Sequence, residues 1–445
     1  MKNHVTDMTV GSPARHILLF ALPTLIGNIF QQIYNLADSI IVGRFIGADA
    51  FAAVGATSSI TFLFFALCNG IGGGGGIIVS QFYGAHDDDN VKKCIVNTGL
   101  IMLIVPLLFG LIGYALAPAL LTVLSTPAPI LSDAIMYTRF MCIGLIFVSL
   151  YNYLSSMLRA LGDSRTPLYF LIISTLINIV LDIIFVCFLK LGIKGAAYAT
   201  IVSQLISALF CGIHAYRTNP YFRFEKKDLS VTFEMSYKII RLGVPLSLQF
   251  GLIAISSMAV QRIVNAFGTT VVAAFTATNR IEQLIHQPYT TLGASIATYC
   301  GQNYGARNKD RVYQGYKTGT LIMVSLTVVL ITAMQLFGKA ITGMFVTDSN
   351  VINLGALGLK ITSSFYLALG MIYVVRGVLS GLGDAFFALF NGVVEVIGRF
   401  TIPLFMTVYM GFGETGIWLS AGVVWVLSAV TAWIRYKFYI KRAMP

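Results

Sequence analysis

Residues 175–186 read TLINIVLDIIFV, an almost wholly apolar stretch that nevertheless carries Asn178 and Asp182, one helical turn apart. A charged side chain at the centre of a bilayer is unfavourable by roughly 2.5–3.5 kcal/mol. A bilayer span needs about 20 predominantly apolar residues, and runs of that length recur from Ile17 to residue 434, twelve in our count. Because its charge is unfavourable in such a segment, Asp182 is a candidate functional residue.

The composition indicates the same class of protein. Of 445 residues, 57% are hydrophobic and 11% are charged, against about 25% charged in a soluble domain. No ten-residue alternation typical of a barrel appears. We predict an all-α polytopic membrane protein with twelve transmembrane helices. Residues 17–43 form too long an apolar run for a cleavable signal, so we expect a retained first helix.

The distribution of the Lys and Arg residues along the chain indicates its membrane topology. With the N-terminus inside, the inside segments hold 21 of the 30 Lys and Arg residues, and the outside loops hold five. This is the positive-inside rule, and it predicts a multi-pass protein of the cytoplasmic membrane with both termini cytoplasmic. The net charge of +12 therefore does not indicate nucleic acid. The six cysteines show no CxxC spacing, so we expect no disulfide and no cysteine-bound metal.

The chain contains two copies of one unit, which coincide at an offset of 221 residues. The matches are Gly47 with Gly268, Ala52-Ala53 with Ala273-Ala274, QFYGA (81–85) with QNYGA (302–306), LGD (161–163) with LGD (382–384), and Gly195 with Gly416. We predict an N-lobe (1–215), a cytoplasmic linker (216–240) and a C-lobe (241–445). Six helices in each copy give both lobes the same orientation, related by a pseudo-twofold axis along the membrane normal.

The acids within the apolar runs do not repeat. Asp38 falls on Ala259 and Asp182 falls on Pro403, so these acids serve the N-terminal half. If both face the bundle interior, loss of water favours their neutral forms, and close carboxyls titrate as a pair. Such a pair can take up a proton at one membrane face and release it at the other. Alternatively, the two acids together with Asn178 and Thr200 would offer oxygen ligands to Na⁺. A third alternative is a purely structural role, in which the acids hydrogen-bond neighbouring helices.

Other polar residues define a tentative substrate cleft. Glu395 and Arg399 lie four apart, which favours an ion pair on one helix face, and a substrate or gating role is an equal alternative. An amphiphilic cation would fit a mixture of amide, aromatic, thioether and charged groups. The tentative cleft residues are Gln31, Tyr34, Asn35, Met157, Arg280, Glu282, Gln287, Glu395 and Arg399.

Two motifs resemble those of other protein classes, but their sequence context argues against such functions. GIGGGGG (70–76) contains a GxGxxG pattern but follows no strand, so close helix packing or a bend is the better interpretation. HDDDN (86–90) resembles half of a diphosphate–Mg²⁺ motif, but its repeat equivalent RNKDR (307–311) is basic. We therefore interpret it as a solvated loop.

The sequence resembles the multidrug and toxic compound extrusion (MATE) family over essentially its whole length. The resemblance rests on QFYGA and QNYGA after the second and eighth helices and RALGDSRTP (159–167) after the fourth. The most specific pattern is NxxxD in the fifth helix, Asn178 and Asp182 here, followed by GIKGAAYAT, which ends at Thr200.

The resemblance implies efflux of organic cations and other amphiphilic drugs in exchange for H⁺ or Na⁺, by alternating access of the two lobes. It implies an ion site in the N-lobe formed by Asp38, Asn178, Asp182 and Thr200, with Tyr137 as a further candidate. The NorM-type branch places a glutamate in the seventh helix and an aspartate in the tenth, and this chain has neither. It is thus closer to the DNA-damage-inducible-type branch.

Several expectations follow. We expect a transporter working as a monomer in the lipid bilayer, no enzyme activity, no cofactor and no nucleic-acid partner. An alternative is a flippase for a lipid-linked sugar or another lipid, which would need cationic residues such as Arg280 and Arg399 to hold a diphosphate. A membrane transferase using the aspartates at 87–89 with Mg²⁺ is a third possibility.

Overall fold

The computed structural model describes residues 5–124 and 126–443. Helices dominate it, and no β-strand occurs in those two ranges. The helices are α1 (Pro13–Ile41), α2 (Ala48–Gly84), α3 (Asp88–Val123), α4 (Ala128–Ala160), α5 (Arg165–Asp182), α6 (Ile193–Thr218), α7 (Phe233–Asn265), α8 (Thr269–Gly305), α9 (Lys309–Gly343), α10 (Ser349–Ser363), α11 (Tyr366–Gly381), α12 (Ala385–Leu404) and α13 (Thr415–Ala443). Short π-helical turns follow α1, α5 and α12, at Val42–Ile46, Ile183–Phe188 and Phe405–Tyr409.

The lengths and compositions of these helices confirm a polytopic membrane protein. Ten of the described helices are long and apolar enough to cross a membrane, and α10 with α11, bent by 50°, makes an eleventh span. Helix α8 has 37 residues but carries Arg280, Glu282 and His286, which make it more polar than the other spans. Together these elements account for the twelve segments predicted from the sequence.

The internal repeat is visible in the helix boundaries. Helix α2 begins at residue 48 and α8 at residue 269, and the two end at 84 and 305, so both ends differ by 221. The tight turns that follow are also alike, because His86 and Arg307 have φ angles of 56° and 54°. Few non-glycine residues adopt such left-handed angles, so their recurrence at one offset supports two copies of one unit.

The chain forms two compact units, and two helices contribute to both. Unit 1 comprises residues 5–7 and Leu22–Ser247, and unit 2 comprises Met8–Ala21 and residues 248–443. Helix α1 therefore passes from unit 2 to unit 1 near Pro23, and α7 passes from unit 1 to unit 2 near Pro245. A proline inside a helix removes one backbone hydrogen bond, so both crossings lie beside locally weakened helix.

The connection before α7 is fixed to α3 within unit 1. The Asn97 side chain donates to the Ser230 carbonyl at 3.1 Å and accepts from the Thr232 N–H at 3.1 Å. Lys92 Nζ lies 3.3 Å from a carboxylate oxygen of Asp228. The Glu225 N–H donates to the same carboxylate, and these contacts hold the pKa of Asp228 below its usual range. This part of the predicted linker is thus an ordered part of unit 1.

The three aspartates that follow α2, at residues 87–89, contact α3 and the connection before α7. Asp87 caps α3 through its side chain, and Asp88 accepts a hydrogen bond from the Tyr221 hydroxyl at 2.6 Å. Asp89 lies 3.7 Å from Lys227 Nζ at an exposed position. All three acids thus have partners nearby, which agrees with the interpretation of this segment as a loop that leads into a helix.

The glycine-rich run in α2 allows close helix packing, as predicted. A Cβ atom added to Gly74 would lie 2.5 Å from the backbone nitrogen of Gly243 on α7, and one added to Gly75 would lie 2.5 Å from Thr98 on α3. One added to Gly72 would meet Ser156 on α4 at 3.0 Å. The run therefore packs three different helices of unit 1 against α2, and this explains why several consecutive residues lack side chains.

We expect Gly74→Ala to destabilise the protein by about 1–3 kcal/mol, because the new methyl group would push apart backbones that now touch. Unfolding of the purified protein in detergent, followed by tryptophan fluorescence during an SDS titration, measures the effect. Gly55→Ala on the same helix is the matched control, since an added Cβ there has nothing within 4 Å. Equal stabilities for the two variants would contradict the close approach of α2 and α7.

Candidate functional site

Two acidic side chains of unit 1 lie where regular helix gives way to a π-helical turn. Asp182 is the last residue of α5, and the turn Ile183–Phe188 follows directly. Asp38 lies in the last turn of α1, just before the turn Val42–Ile46. π-Helical turns make up well under 1% of residues in proteins and are frequent at functional sites. The backbone is thus irregular at both acids.

Asn178 and Asp182 are completely buried, and one carboxylate oxygen of Asp38 is buried as well. The carboxyl groups of Asp38 and Asp182 are close enough for their charges to interact. Within the described residues, five buried atoms of these three side chains have no hydrogen-bond partner: Asp38 Oδ1, both amide atoms of Asn178, and both carboxylate oxygens of Asp182. An unpaired buried polar group costs about 1–3 kcal/mol. A proton or a small cation bound here would remove part of that cost.

Three further side chains complete the group. Tyr34 donates from its hydroxyl to Thr200 Oγ1 at 3.3 Å. Tyr34 and Tyr137 are buried, and both lie within electrostatic range of Asp38 and Asp182. Helices α1, α4, α5 and α6 therefore bring together the five residues proposed for ion coupling. Tyr34, which the sequence suggested for a substrate cleft, lies beside these acids.

The donor set restricts which ions can bind. Across residues 5–124 and 126–443, no cluster of three or more His, Cys, Asp or Glu side chains could hold a metal ion. The group around Asp182 offers two carboxylates, an amide oxygen and hydroxyls, which are the hard oxygen ligands that hard cations prefer. These residues fit a proton or Na⁺.

The other cleft candidates of the first half and of α8 differ widely in exposure. Asn35 is exposed, while Gln31 and Gln287 are half-buried. Met157 has none of its surface exposed and belongs to the hydrophobic core of unit 1. Its thioether therefore packs against neighbouring helices in this structure and does not line an accessible surface.

Unit 2 holds a network of buried charges. Arg376 Nη2 on α11 donates to Glu395 Oε1 on α12 at 2.9 Å and also bonds the Asn391 side chain. Arg399 lies 3.9 Å from the other carboxylate oxygen of Glu395 and donates to Ser257 Oγ at 3.2 Å. The ion pair expected between Glu395 and Arg399 is present, but the shorter contact of Glu395 is with Arg376.

A second acid of unit 2 has a different environment. The Tyr366 hydroxyl donates to Glu282 Oε1 at 3.3 Å, and His286 Nε2 lies 4.0 Å from Glu282 Oε2. Arg280, two residues earlier on α8, is exposed. The neighbouring basic residue in sequence is thus not the ion-pair partner of Glu282.

Sequence reasoning missed Tyr366, Arg376 and His286. Tyr366 is 84 residues from Glu282, and Arg376 is 19 residues from Glu395 on another helix, so no spacing rule links them. His286 follows Glu282 by four residues on one helix, a spacing that places two side chains on one face. That signal was available in the sequence.

Comparison with known proteins identifies the family. The MatE family model matches residues 23–184 and 245–409, once in each half of the chain. The chain is 30% identical over 440 residues to the probable multidrug resistance protein YpnP of Bacillus subtilis, covering 98% of both chains. It is 28% identical to the probable multidrug resistance protein YoeA of the same organism, over 96% of this chain and 94% of the relative. It is 24% identical to the multidrug export protein MepA of Staphylococcus aureus, over 93% and 91% of the two chains.

Solved structures share the fold. A MATE crystal structure in the bent conformation superimposes with a TM-score of 0.93 at 23% identity, covering 100% of this chain and 99% of the other. An outward-facing multidrug resistance MATE transporter of the MOP superfamily gives a TM-score of 0.90 at 23% identity, with both chains fully covered. The matching family model and the similar curated proteins define a multidrug efflux transporter, and the solved structures share its helical membrane fold. The chain belongs to the MATE family.

Proposed function

We propose that this protein exports small amphiphilic drugs, organic cations above all, in exchange for H⁺ or Na⁺ bound at Asp38 and Asp182. The observation that carries the proposal is the interacting pair of carboxyl groups in unit 1, whose buried oxygens have no hydrogen-bond donor among the described residues. An ion that binds there on one side of the membrane and leaves on the other would supply the free energy for efflux.

Each residue has a distinct role in this proposal. Asp182 and Asp38 bind the coupling ion, and Asn178 and Thr200 supply further oxygen ligands. Tyr137, buried beside both acids, excludes water from them. The protein acts as a monomer in the cytoplasmic membrane, as a transporter that catalyses no reaction and needs no cofactor.

Lipid flipping is the alternative function, and the charges of unit 2 do not favour it. Holding a diphosphate would require several cationic side chains without acidic partners. Of the two arginines that the sequence suggested, Arg280 is exposed and has no ion-pair partner within 4.0 Å among the described residues. Arg399 lies 3.9 Å from Glu395, which also contacts Arg376 at 2.9 Å. The charges of Arg376 and Arg399 are thus partly neutralised within the protein, so Arg280 alone does not make a diphosphate site.

Ethidium efflux from proteoliposomes containing the wild-type protein tests the proposal. A pH gradient and a Na⁺ gradient are imposed separately, with protein-free liposomes as the control. We expect one gradient to drive efflux at least tenfold faster than in the protein-free control, and that gradient identifies the coupling ion. An efflux rate that changes with neither gradient would contradict ion-coupled export.

A further inference from the structure

Among the described residues, four acids of the membrane-spanning helices are buried or half-buried, and one of them has no role so far. Asp38 and Asp182 form the pair of unit 1, and Glu395 is neutralised by two arginines. Glu282 on α8 has no Lys or Arg within 4.0 Å among the described residues, and its one ion-pair candidate is His286. An ionisable group in a membrane helix is by default a candidate functional site.

The Glu282 side chain lies among aromatic residues and is mostly buried. Tyr366, fully buried on α11, donates to its carboxylate at 3.3 Å. The buried ring of Trp425 on α13 packs against Tyr366 at 6.2 Å and against His286 at 5.9 Å. The side chains of Glu282 and His286 keep 12% and 26% of their surface exposed. Aromatic side chains thus surround the Glu282 carboxylate, while a small part of the Glu282 side chain and a quarter of the His286 side chain stay exposed.

Among the described residues, polar and titratable groups from four helices lie around Glu282. On its own helix these are His286 and Tyr289; Thr362 faces it from α10, Tyr366 from α11 and Arg399 from α12. The imidazole of His286 also contacts the Tyr373 hydroxyl at 3.1 Å.

The net charge of this cluster is the same whether a proton or a cation is bound at Glu282. Ionised Glu282 and Glu395 balance Arg376 and Arg399, so the four side chains sum to zero. Arg399 acts on Glu282 only over a distance, because it is held by Glu395 and by Ser257 at 3.2 Å. A proton on Glu282 or a cation beside it brings the cluster to the same net charge of +1.

The first half of the chain has no equivalent of this cluster. At the offset of 221, Glu282 corresponds to Thr61 and His286 to Phe65. Tyr366, Arg376 and Glu395 correspond to Leu145, Ser155 and Ser174. The cluster is therefore not part of the scaffold that both copies share. It belongs to the second half, as the acid pair belongs to the first.

We propose that Glu282 is a second exchange site, at which an organic cation and a proton compete for one carboxylate. Binding follows Glu–COOH + R₄N⁺ ⇌ Glu–COO⁻·R₄N⁺ + H⁺, so each bound cation releases one proton. Tyr366 positions the carboxylate by donating to it. The proposal rests on the proposed export of organic cations, and it adds the residue that recognises the cationic group.

Calorimetric titration with tetraphenylphosphonium tests this exchange, using the full-length protein in detergent. Repeating the titration in buffers of different ionisation enthalpy gives the number of protons released. The background is Asp38→Asn/Asp182→Asn, which removes the titrating pair of unit 1. In that background we expect the release of about one proton per bound cation at a pH where Glu282 is protonated. Adding Glu282→Gln should eliminate this release and weaken Kd at least tenfold.

Glu234→Gln in the same background is the matched control, because the Glu234 side chain is 79% exposed and should change neither quantity. If Glu282→Gln does not fold, Glu282→Asp replaces it, and there proton release should persist with weaker binding. Unchanged affinity and proton release in Glu282→Gln overturn the inference. Wild-type protein that shows this proton release but no gradient-driven efflux would instead overturn the proposed function alone.

Discussion

The Asp182→Asn variant is expected to lose ion-driven efflux, by at least tenfold in rate, while remaining folded. Asparagine keeps the size of the side chain and its capacity to accept a hydrogen bond, but it neither titrates nor provides a negative charge. Asp182 is fully buried at the end of α5, next to Asp38. If the pair binds the coupling ion, removing one of its two charges uncouples the ion gradient from drug movement.

Ethidium efflux under the effective gradient measures this loss, with the amount of folded protein in each liposome preparation determined by size-exclusion chromatography. Asp133→Asn is a suitable control, since it makes the same chemical change at an exposed position of α4 in unit 1. Wild-type rates in Asp182→Asn would mean that the acid only holds helices together. The coupling role would then move to the acids of unit 2.

The free energy available to an exchanger depends on how many ions it carries. One charge crossing 100 mV gains about 2.3 kcal/mol, yet exchanging one monovalent cation for one proton moves no net charge. Only the pH difference would then contribute, at about 1.4 kcal/mol per pH unit, or tenfold in concentration. The acid pair of unit 1 together with Glu282 of unit 2 would admit two protons per cation. The membrane potential would then also drive export.

The sequence predicted those features that depend on residues close together in the chain. Apolar runs of span length identified the helices, because burial in lipid requires nearly every residue of a segment to be apolar. The offset of 221 predicted corresponding helix boundaries, and α2 and α8 show them. Asp38 and Asp182 stood out because a charge in such a run is rare and unfavourable. The grouping of their side chains with Tyr34 required the structure.

Contacts between distant segments could not be predicted in this way. Arg376 is one of the 21 Lys and Arg residues assigned to the inside segments by the sequence analysis, but its side chain is mostly buried against Glu395. Nothing in the local sequence indicates this contact, because the two residues lie on different helices. The crossing of α1 and α7 between the units is likewise set by packing along their whole lengths. The sequence placed the boundary in the polar segment before α7, where composition changes most.

Replacing Arg376 is expected to have the largest effect on stability. Arg376→Leu removes the short contact to Glu395 and the bond to Asn391, and leaves a carboxylate whose side chain is only 8% exposed. Breaking a buried ion pair by removing one partner costs about 3–5 kcal/mol. The contact that Glu395 keeps with Arg399, at 3.9 Å, puts our expectation near the lower end, at about 3 kcal/mol. An SDS titration in mixed micelles measures this change in the free energy of unfolding.

The double variant Arg376→Leu/Glu395→Leu separates charge from packing. If the loss comes from the unpaired carboxylate, removing that carboxylate should recover most of it, since apolar residues often replace buried ion pairs without net loss. Lys238→Met is the control, because it breaks an exposed pair with Glu234 and should change stability by at most about 0.5 kcal/mol. Equal destabilisation of the single and double variants would show that Arg376 stabilises α11 and α12 through packing. In that case the negative charge of Glu395 would not require Arg376 as a partner. The argument that Glu395 occupies the arginines, and so leaves Glu282 free to bind a cation, would then lose its support.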